Sequence, residues 1–131
     1  RLRKNLTEPV FNSWGYNTRS AALRIPCSDE SNRRIEYRLA GADANPYLVA
    51  ATILTGMLYG LEHIDEGDLP EPQHDQPELP LFQQEAIEAF ARCQYLTESL
   101  GDAFSEQWVA CKLSELDWFE RIVTQEESHL A

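Results

Sequence analysis

The stretch RRIEYRLAGADANPYL, residues 33–48, decides the fold. Arg34, Glu36 and Arg38 alternate with Ile35, Tyr37 and Leu39, the period of a β-strand with two unlike faces. One face is Arg-Glu-Arg and the other Ile-Tyr-Leu. Asn45-Pro46 then signals a helix start. An asparagine side chain satisfies the orphan amides of a first turn, and a proline loses nothing there. A charged strand followed directly by an apolar helix points to an α+β protein.

Upstream, RSAALRIP (residues 19–26) reads as a second short strand stopped by Pro26, and CSDESN (27–32) as a polar turn. The two strands are expected to pair as an antiparallel hairpin belonging to a larger sheet. In NSWGYNT (12–18), Gly15 and Asn17 suggest a tight reversal.

Downstream, PYLVAATILTGMLYGLEHI (46–64) is apolar nearly all round, which predicts a buried core helix. Its apolar run of about fifteen residues, interrupted by Thr52, Thr55, Gly56 and Gly60, falls short of the roughly twenty needed to span a bilayer. DEGDLPEPQHDQPELP (65–80) holds four prolines and six acids, so an extended solvated loop is expected. His74 beside Asp75 could be taken for a metal ligand; an exposed loop histidine is the simpler reading. Two helices follow in residues 81–131. Ala86, Phe90, Cys93 and Leu100 lie near helical spacing, Gly101 is a natural stop, and Asp102 is the expected cap of the second. Trp108, Trp118 and Phe119 suit core or interface packing better than ligand stacking. Thr124 to Glu127 has the spacing of a capping box.

The regions are therefore a hairpin region (1–40), a core helix (45–64), an acidic proline-rich loop (65–80) and C-terminal helices (81–131), with three main helices packed on the sheet. At 131 residues, with 43% hydrophobic content, the chain suits one domain or a piece of a larger one. A first residue other than Met suggests a fragment or a processed form. The opening RLRKNL is not the start of a signal peptide.

The net charge of -11 is unevenly spread: residues 1–38 hold eight basic and four acidic residues, residues 39–131 three basic and eighteen acidic. An acidic bulk argues against nucleic-acid binding, while a basic segment suggests a local anion site. Cys27, Cys93 and Cys111 are odd in number and widely spaced. Buried or half-buried thiols in a reducing compartment, the cytoplasm, follow.

On the hairpin, Arg24 and Arg19 can join Arg34, Glu36 and Arg38. Guanidinium groups suit bidentate contacts with phosphate or carboxylate oxygens. Two readings of Glu36 stay open. It can neutralise its arginine neighbours in a salt-bridge ladder. It can instead hold a divalent cation that bridges phosphate oxygens the arginines also grip, since magnesium takes one or two carboxylates plus phosphates and waters.

At these residues the chain resembles a known family. WGYNTRSAALRIP (14–26) with NRRIEYRLAGADANPYLVAATILTGMLYGLE (32–62) resembles the C-terminal part of the catalytic domain of glutamine synthetases. The shared pattern is an Asn-Arg-Ser/Thr-Ala turn, Arg-Ile/Val-Pro, Arg-x-Glu-x-Arg, then Asn-Pro-Tyr-Leu. LGDAFSEQWVACKLSELDWFERIVTQEE (100–127) looks more like the glutamylpolyamine-synthetase-like branch than the ammonia-using bacterial enzymes.

The resemblance implies an ATP-dependent ligase that phosphorylates the side-chain carboxylate of glutamate and lets ammonia or another amine displace phosphate. It implies Glu36 as a ligand of a Mg2+ or Mn2+ ion. It implies Arg38 on glutamate and the transferring phosphoryl group, and Arg19 stabilising that phosphate and contacting ATP and substrate. Arg24 and Arg34 would hold ATP phosphates, and Arg1 would grip the amino-acid carboxylate. A homo-oligomeric ring with sites between subunits is implied as well, with no nucleic acid and no membrane as partner. Asn17-Thr18-Arg19 replaces the more usual Asp/Arg-Asn-Arg, which keeps Arg19 in register and alters its support. Residues 63–81 contain no tyrosine, so the adenylylation of some bacterial relatives is not expected. One glutamate cannot hold several metal ions, so these 131 residues are expected to be inactive alone. A noncatalytic scaffold, with the ladder as mere structure, is the rival from another class.

Overall fold

The computed structural model describes residues 11–63, 65 and 77–122. Arg1, residues 66–76 with His74, and the capping-box segment 124–127 lie outside these. The chain divides into two compact units, residues 1–81 and 82–131.

Among the described residues, the first unit holds three strands, β1 (Trp14–Tyr16), β2 (Leu23–Ile25) and β3 (Glu36–Tyr37), and one long helix, α1 (Pro46–His63). The sheet order is β1-β2-β3. β2 and β3 pair antiparallel, Leu23 opposite Tyr37 and Arg24 opposite Glu36, which is the hairpin the sequence predicts. A backbone bond from Arg38 N–H to Ala22 O (2.9 Å) extends the ladder. The polar link between them contains a 3-10 turn, Glu30–Asn32, capped by the Asp29 carboxylate, which accepts from Asn32 N at 3.0 Å.

β1 corrects one expectation. The reversal lies not at Gly15 but two residues later, and Trp14–Tyr16 is a strand parallel to β2, with Gly15 opposite Arg24. The turn begins at Asn17, at φ 52°, a conformation asparagine tolerates better than most residues. Parallel pairing normally needs a long crossover. Strands of three residues run only about 10 Å, so the six-residue link 17–22 can double back. Ala21 and Ala22, 3% and 2% exposed, fill the space beneath it.

α1 starts as Asn45-Pro46 predicts: Asn45 Oδ1 accepts from the N–H of Tyr47 (3.0 Å) and of Leu48 (3.3 Å). Its burial does not follow. α1 has no buried residue, packs on none of the three strands, and leaves Tyr47 and Leu61 each 83% exposed. Leu23, Ile35 and Tyr37 of the strand region are also exposed. The apolar circumference of α1 therefore finds no cover among the described residues. No helix among them is long and apolar enough to cross a membrane.

The second unit contains α2 (Gln83–Arg92), α3 (Gln94–Leu100) and α4 (Asp102–Glu120). The first expected helix is broken in two at Cys93, whose backbone (φ -83°, ψ 84°) leaves the helical region. Gly101 separates α3 from α4 at φ 90°, ψ 133° and itself occupies the capping position. Asp102 lies in the first turn of α4, where its charge still favours the positive helix end, but it is not the cap. Ser105, buried, donates to Thr97 O at 3.1 Å and ties α4 to α3. α2 packs on α4. Ile87 is buried there beside an apolar pocket of about 210 Å³ that Phe90, Trp108 and Val109 also line. Lys112 sits 4.5 Å over the Trp108 ring, whereas Trp118 and Phe119 are exposed and meet edge to face. All three cysteines are exposed rather than buried, because few of the described residues are enclosed.

Candidate functional site

The register of the strand pair builds the site. Arg24 and Glu36 are direct cross-strand partners, and such partners present their side chains on one face. Arg24 Nη1 donates to Glu36 Oε2 at 2.7 Å. Arg34 lies just outside β3 yet reaches the other oxygen, donating to Glu36 Oε1 from Nε (3.2 Å) and Nη2 (3.0 Å). Both oxygens of one half-exposed carboxylate are thus held by guanidinium groups. Hydrogen bonding from Arg24, the largest cause, and from Arg34 lowers the Glu36 pKa from its ordinary value, while partial burial opposes that shift.

Arg24 has a second anchor. Its Nη2 donates to Asn17 Oδ1 at 2.8 Å. The third nitrogen, Nε, is buried and has no hydrogen-bond partner among the described residues, and Arg38 Nη1 is in the same condition. A buried donor without an acceptor costs roughly 1–3 kcal/mol. Two such donors on guanidinium groups of one strand pair suit an acceptor-rich anion. Arg38 shares the Glu36 face by strand alternation, and Arg19 lies exposed in the 17–22 link. The structure therefore gathers Arg24, Arg34 and Glu36 into one contact network. It sets Arg38 and Arg19 on neighbouring backbone, and Arg1 lies outside the described residues.

The donor set also answers whether a divalent cation fits. Among the described residues no group of three or more His, Cys, Asp or Glu side chains is placed to hold a metal. Glu36 fits a single protein ligand to an ion whose other partners are phosphates and waters, which is the usual environment of magnesium. It does not fit a complete protein cage.

The sequence pattern marks Asn17 only as a turn residue and does not show its part in holding Arg24. The available signal was its residue type: asparagine both accepts positive φ and carries a carbonyl oxygen.

These features define an α+β protein with an arginine-rich cluster centred on one carboxylate. The catalytic-domain family of glutamine synthetase matches residues 1–130. Gamma-glutamylputrescine synthetase PuuA of Escherichia coli K12 is 42% identical over 133 residues, covering 97% of this chain and 28% of that protein. Lengsin of Canis lupus familiaris is 38% identical over 120 residues, covering 87% and 21%. Glutamine synthetase of Pyrococcus furiosus is 32% identical over 142 residues, covering 99% and 32%. A solved structure described as apo GmaS without ligand superposes with a TM-score of 0.77 at 26% identity, covering 93% of this chain and 30% of that one. The chain belongs to the glutamine synthetase family and corresponds to part of its catalytic domain. It spans less than a third of the length of these relatives.

Proposed function

We propose that this chain is part of an ATP-dependent glutamate–amine ligase that makes an amide through a γ-glutamyl phosphate, with a polyamine such as putrescine as the acceptor. One observation carries the reading: buried guanidinium N–H groups without acceptors flank a carboxylate on a chain of this family. Support for the amine comes from the 42% identity with gamma-glutamylputrescine synthetase, against 32% with the archaeal glutamine synthetase. Ammonia as the acceptor, that is, ordinary glutamine synthetase, is the second reading.

The roles follow from charge. A metal ion supplies Lewis-acid neutralisation of phosphate oxygens, and Glu36 is the residue that would hold it. Arg24 and Arg34 would hold ATP phosphates. Arg38 and Arg19 would stabilise the negative charge that builds up as the phosphoryl group moves to the glutamate carboxylate, and Arg38 and Arg1 would contact glutamate. Fixed cationic donors contribute most where charge develops in the transition state. Phosphate carries enough acceptors to draw Arg24 and Arg34 away from Glu36, which frees that carboxylate for the cation. The salt-bridge ladder and the metal-phosphate site are then two states of the same three side chains. The same reading sets the enzyme in the cytoplasm as a homo-oligomer. With one metal carboxylate, the 131 residues alone are expected not to turn over.

The test is phosphate release by the full-length protein with ATP, glutamate and, in turn, ammonia, putrescine and ethanolamine. Turnover dependent on glutamate and greatest with putrescine is expected. No turnover with any amine refutes the ligase and leaves the scaffold reading; turnover with ammonia alone selects glutamine synthetase.

A further inference from the structure

We infer that Asn17 is a positioning residue for Arg24, holding that guanidinium in place for the anion it is to bind. The inference rests on the proposed role of Arg24 in holding ATP phosphates. Three observations support it. Arg24 is gripped at two different nitrogens, Nη1 by Glu36 at 2.7 Å and Nη2 by Asn17 Oδ1 at 2.8 Å. A planar guanidinium held at its terminal nitrogens is restrained about its last torsions. Nε is the nitrogen left buried without an acceptor.

The third observation concerns how Asn17 gets there. Its backbone N–H donates to Ile25 O at 2.9 Å, next in sequence to Arg24, so the turn is pinned to β2 itself. Its φ of 52° turns the chain at the end of β1, and the side chain then reaches Arg24. Asn17 thus contributes twice: its backbone closes the strand pair, and its carbonyl oxygen orients the guanidinium. If Glu36 were to hold a metal ion, Asn17 would be the remaining anchor of Arg24. A neutral amide suits that task, because it holds the guanidinium without cancelling its charge.

The two contributions can be separated in the full-length protein. Asn17→Gly keeps the positive-φ turn and removes the oxygen, whereas Asn17→Asp restores an acceptor at the same place. Binding of ATP with Mg2+, measured by titration calorimetry, is expected to weaken roughly tenfold in Asn17→Gly, the order of one lost charge-assisted hydrogen bond. KM for ATP should rise in parallel, with kcat and KM for glutamate within about twofold of the parent. Asn17→Asp is expected to recover only part of the lost affinity, because its acceptor also brings a charge that cancels that of Arg24. A merely structural role would lower kcat and both KM-linked affinities together, and would overturn the inference. So would unchanged ATP affinity in Asn17→Gly. Arg24→Gln separates the two levels. If it leaves ATP binding intact, the role assigned to Arg24 is wrong and the inference falls with it. If it weakens binding while Asn17→Gly does not, only the inference fails.

Discussion

Gly101 gives the most direct test of how the helical unit is built. It stands between α3 and α4 at φ 90°, ψ 133°. That combination lies outside the left-handed helical well, which centres near ψ +47°, and approaches the region that only glycine enters freely. A side chain there costs about 1–3 kcal/mol in backbone strain. A Cβ added at Gly101 would have nothing within 4 Å, so no clash adds to this and no new burial offsets it. Loss of glycine's freedom in the unfolded chain returns about 0.4–1 kcal/mol. The net cost of Gly101→Ala is therefore about 1–2 kcal/mol, and amide exchange in α3 and the start of α4 should quicken roughly 5- to 30-fold. Hydrogen exchange read by mass spectrometry resolves that change, and the far-ultraviolet circular dichroism should stay constant. Gly101→Asn is the discriminating partner. Asparagine is tolerated at positive φ only near the left-handed well, so at ψ 133° it should cost about as much as alanine. Protection in Gly101→Asn equal to that of the parent, with Gly101→Ala impaired, would refute the backbone reasoning and make this an ordinary left-handed cap.

Glu36→Gln in the full-length protein is expected to abolish metal-dependent phosphate release while circular dichroism shows the fold retained; normal metal dependence in that variant would refute the role of the carboxylate. Because hydrogen bonding from Arg24 lowers the Glu36 pKa, the folded value lies below the unfolded one. The stability this pair contributes is present in full above the ordinary carboxylate range and is lost as pH falls through the lowered value. Melting temperature should accordingly drop on acidification below that range, and the drop should be smaller in Glu36→Gln; an equal drop in both proteins would remove Glu36 from the cause. Ile87→Ala, at the buried contact of α2 with α4, should destabilise the helical unit by about 2–3 kcal/mol, toward the low end for such truncations because the adjoining pocket already leaves the site loosely filled. A loss below about 0.5 kcal/mol in urea titration would show that the contact does not hold α2 in place.

The parts of this molecule that a sequence reports well are those set by neighbours in the chain. Period-two alternation places Arg34, Glu36 and Arg38 on one strand face, and the antiparallel pairing with residues 23–25 follows from the Pro26 stop and the polar turn. The Asn45-Pro46 start holds to the level of individual hydrogen bonds. Turn chemistry is less complete. Gly15 and Asn17 both read as reversal residues, but only one of them takes positive φ. Which of the two does so is decided by β1 pairing with β2, a contact no local pattern encodes. The break at Cys93 is of the same kind: no glycine or proline marks it, and helical spacing runs straight through it.

Hydrophobic periodicity fails in a more instructive way at α1. An apolar circumference states that a helix needs cover on every side, and says nothing of where the cover comes from. The described residues leave Tyr47, Leu54 and Leu61 largely exposed, and the chain spans under a third of the relatives it matches. The candidate site shows the same split. The carboxylate and its two arginines could be paired from sequence, because strand register brings them together. The buried nitrogens of Arg24 and Arg38 that lack acceptors could not. An unmet donor is a property of what surrounds an atom in space, and only the folded chain displays it. That asymmetry is why the arginine-glutamate network by itself is consistent with a structural ladder, whereas the unmet donors beside it favour a bound anion.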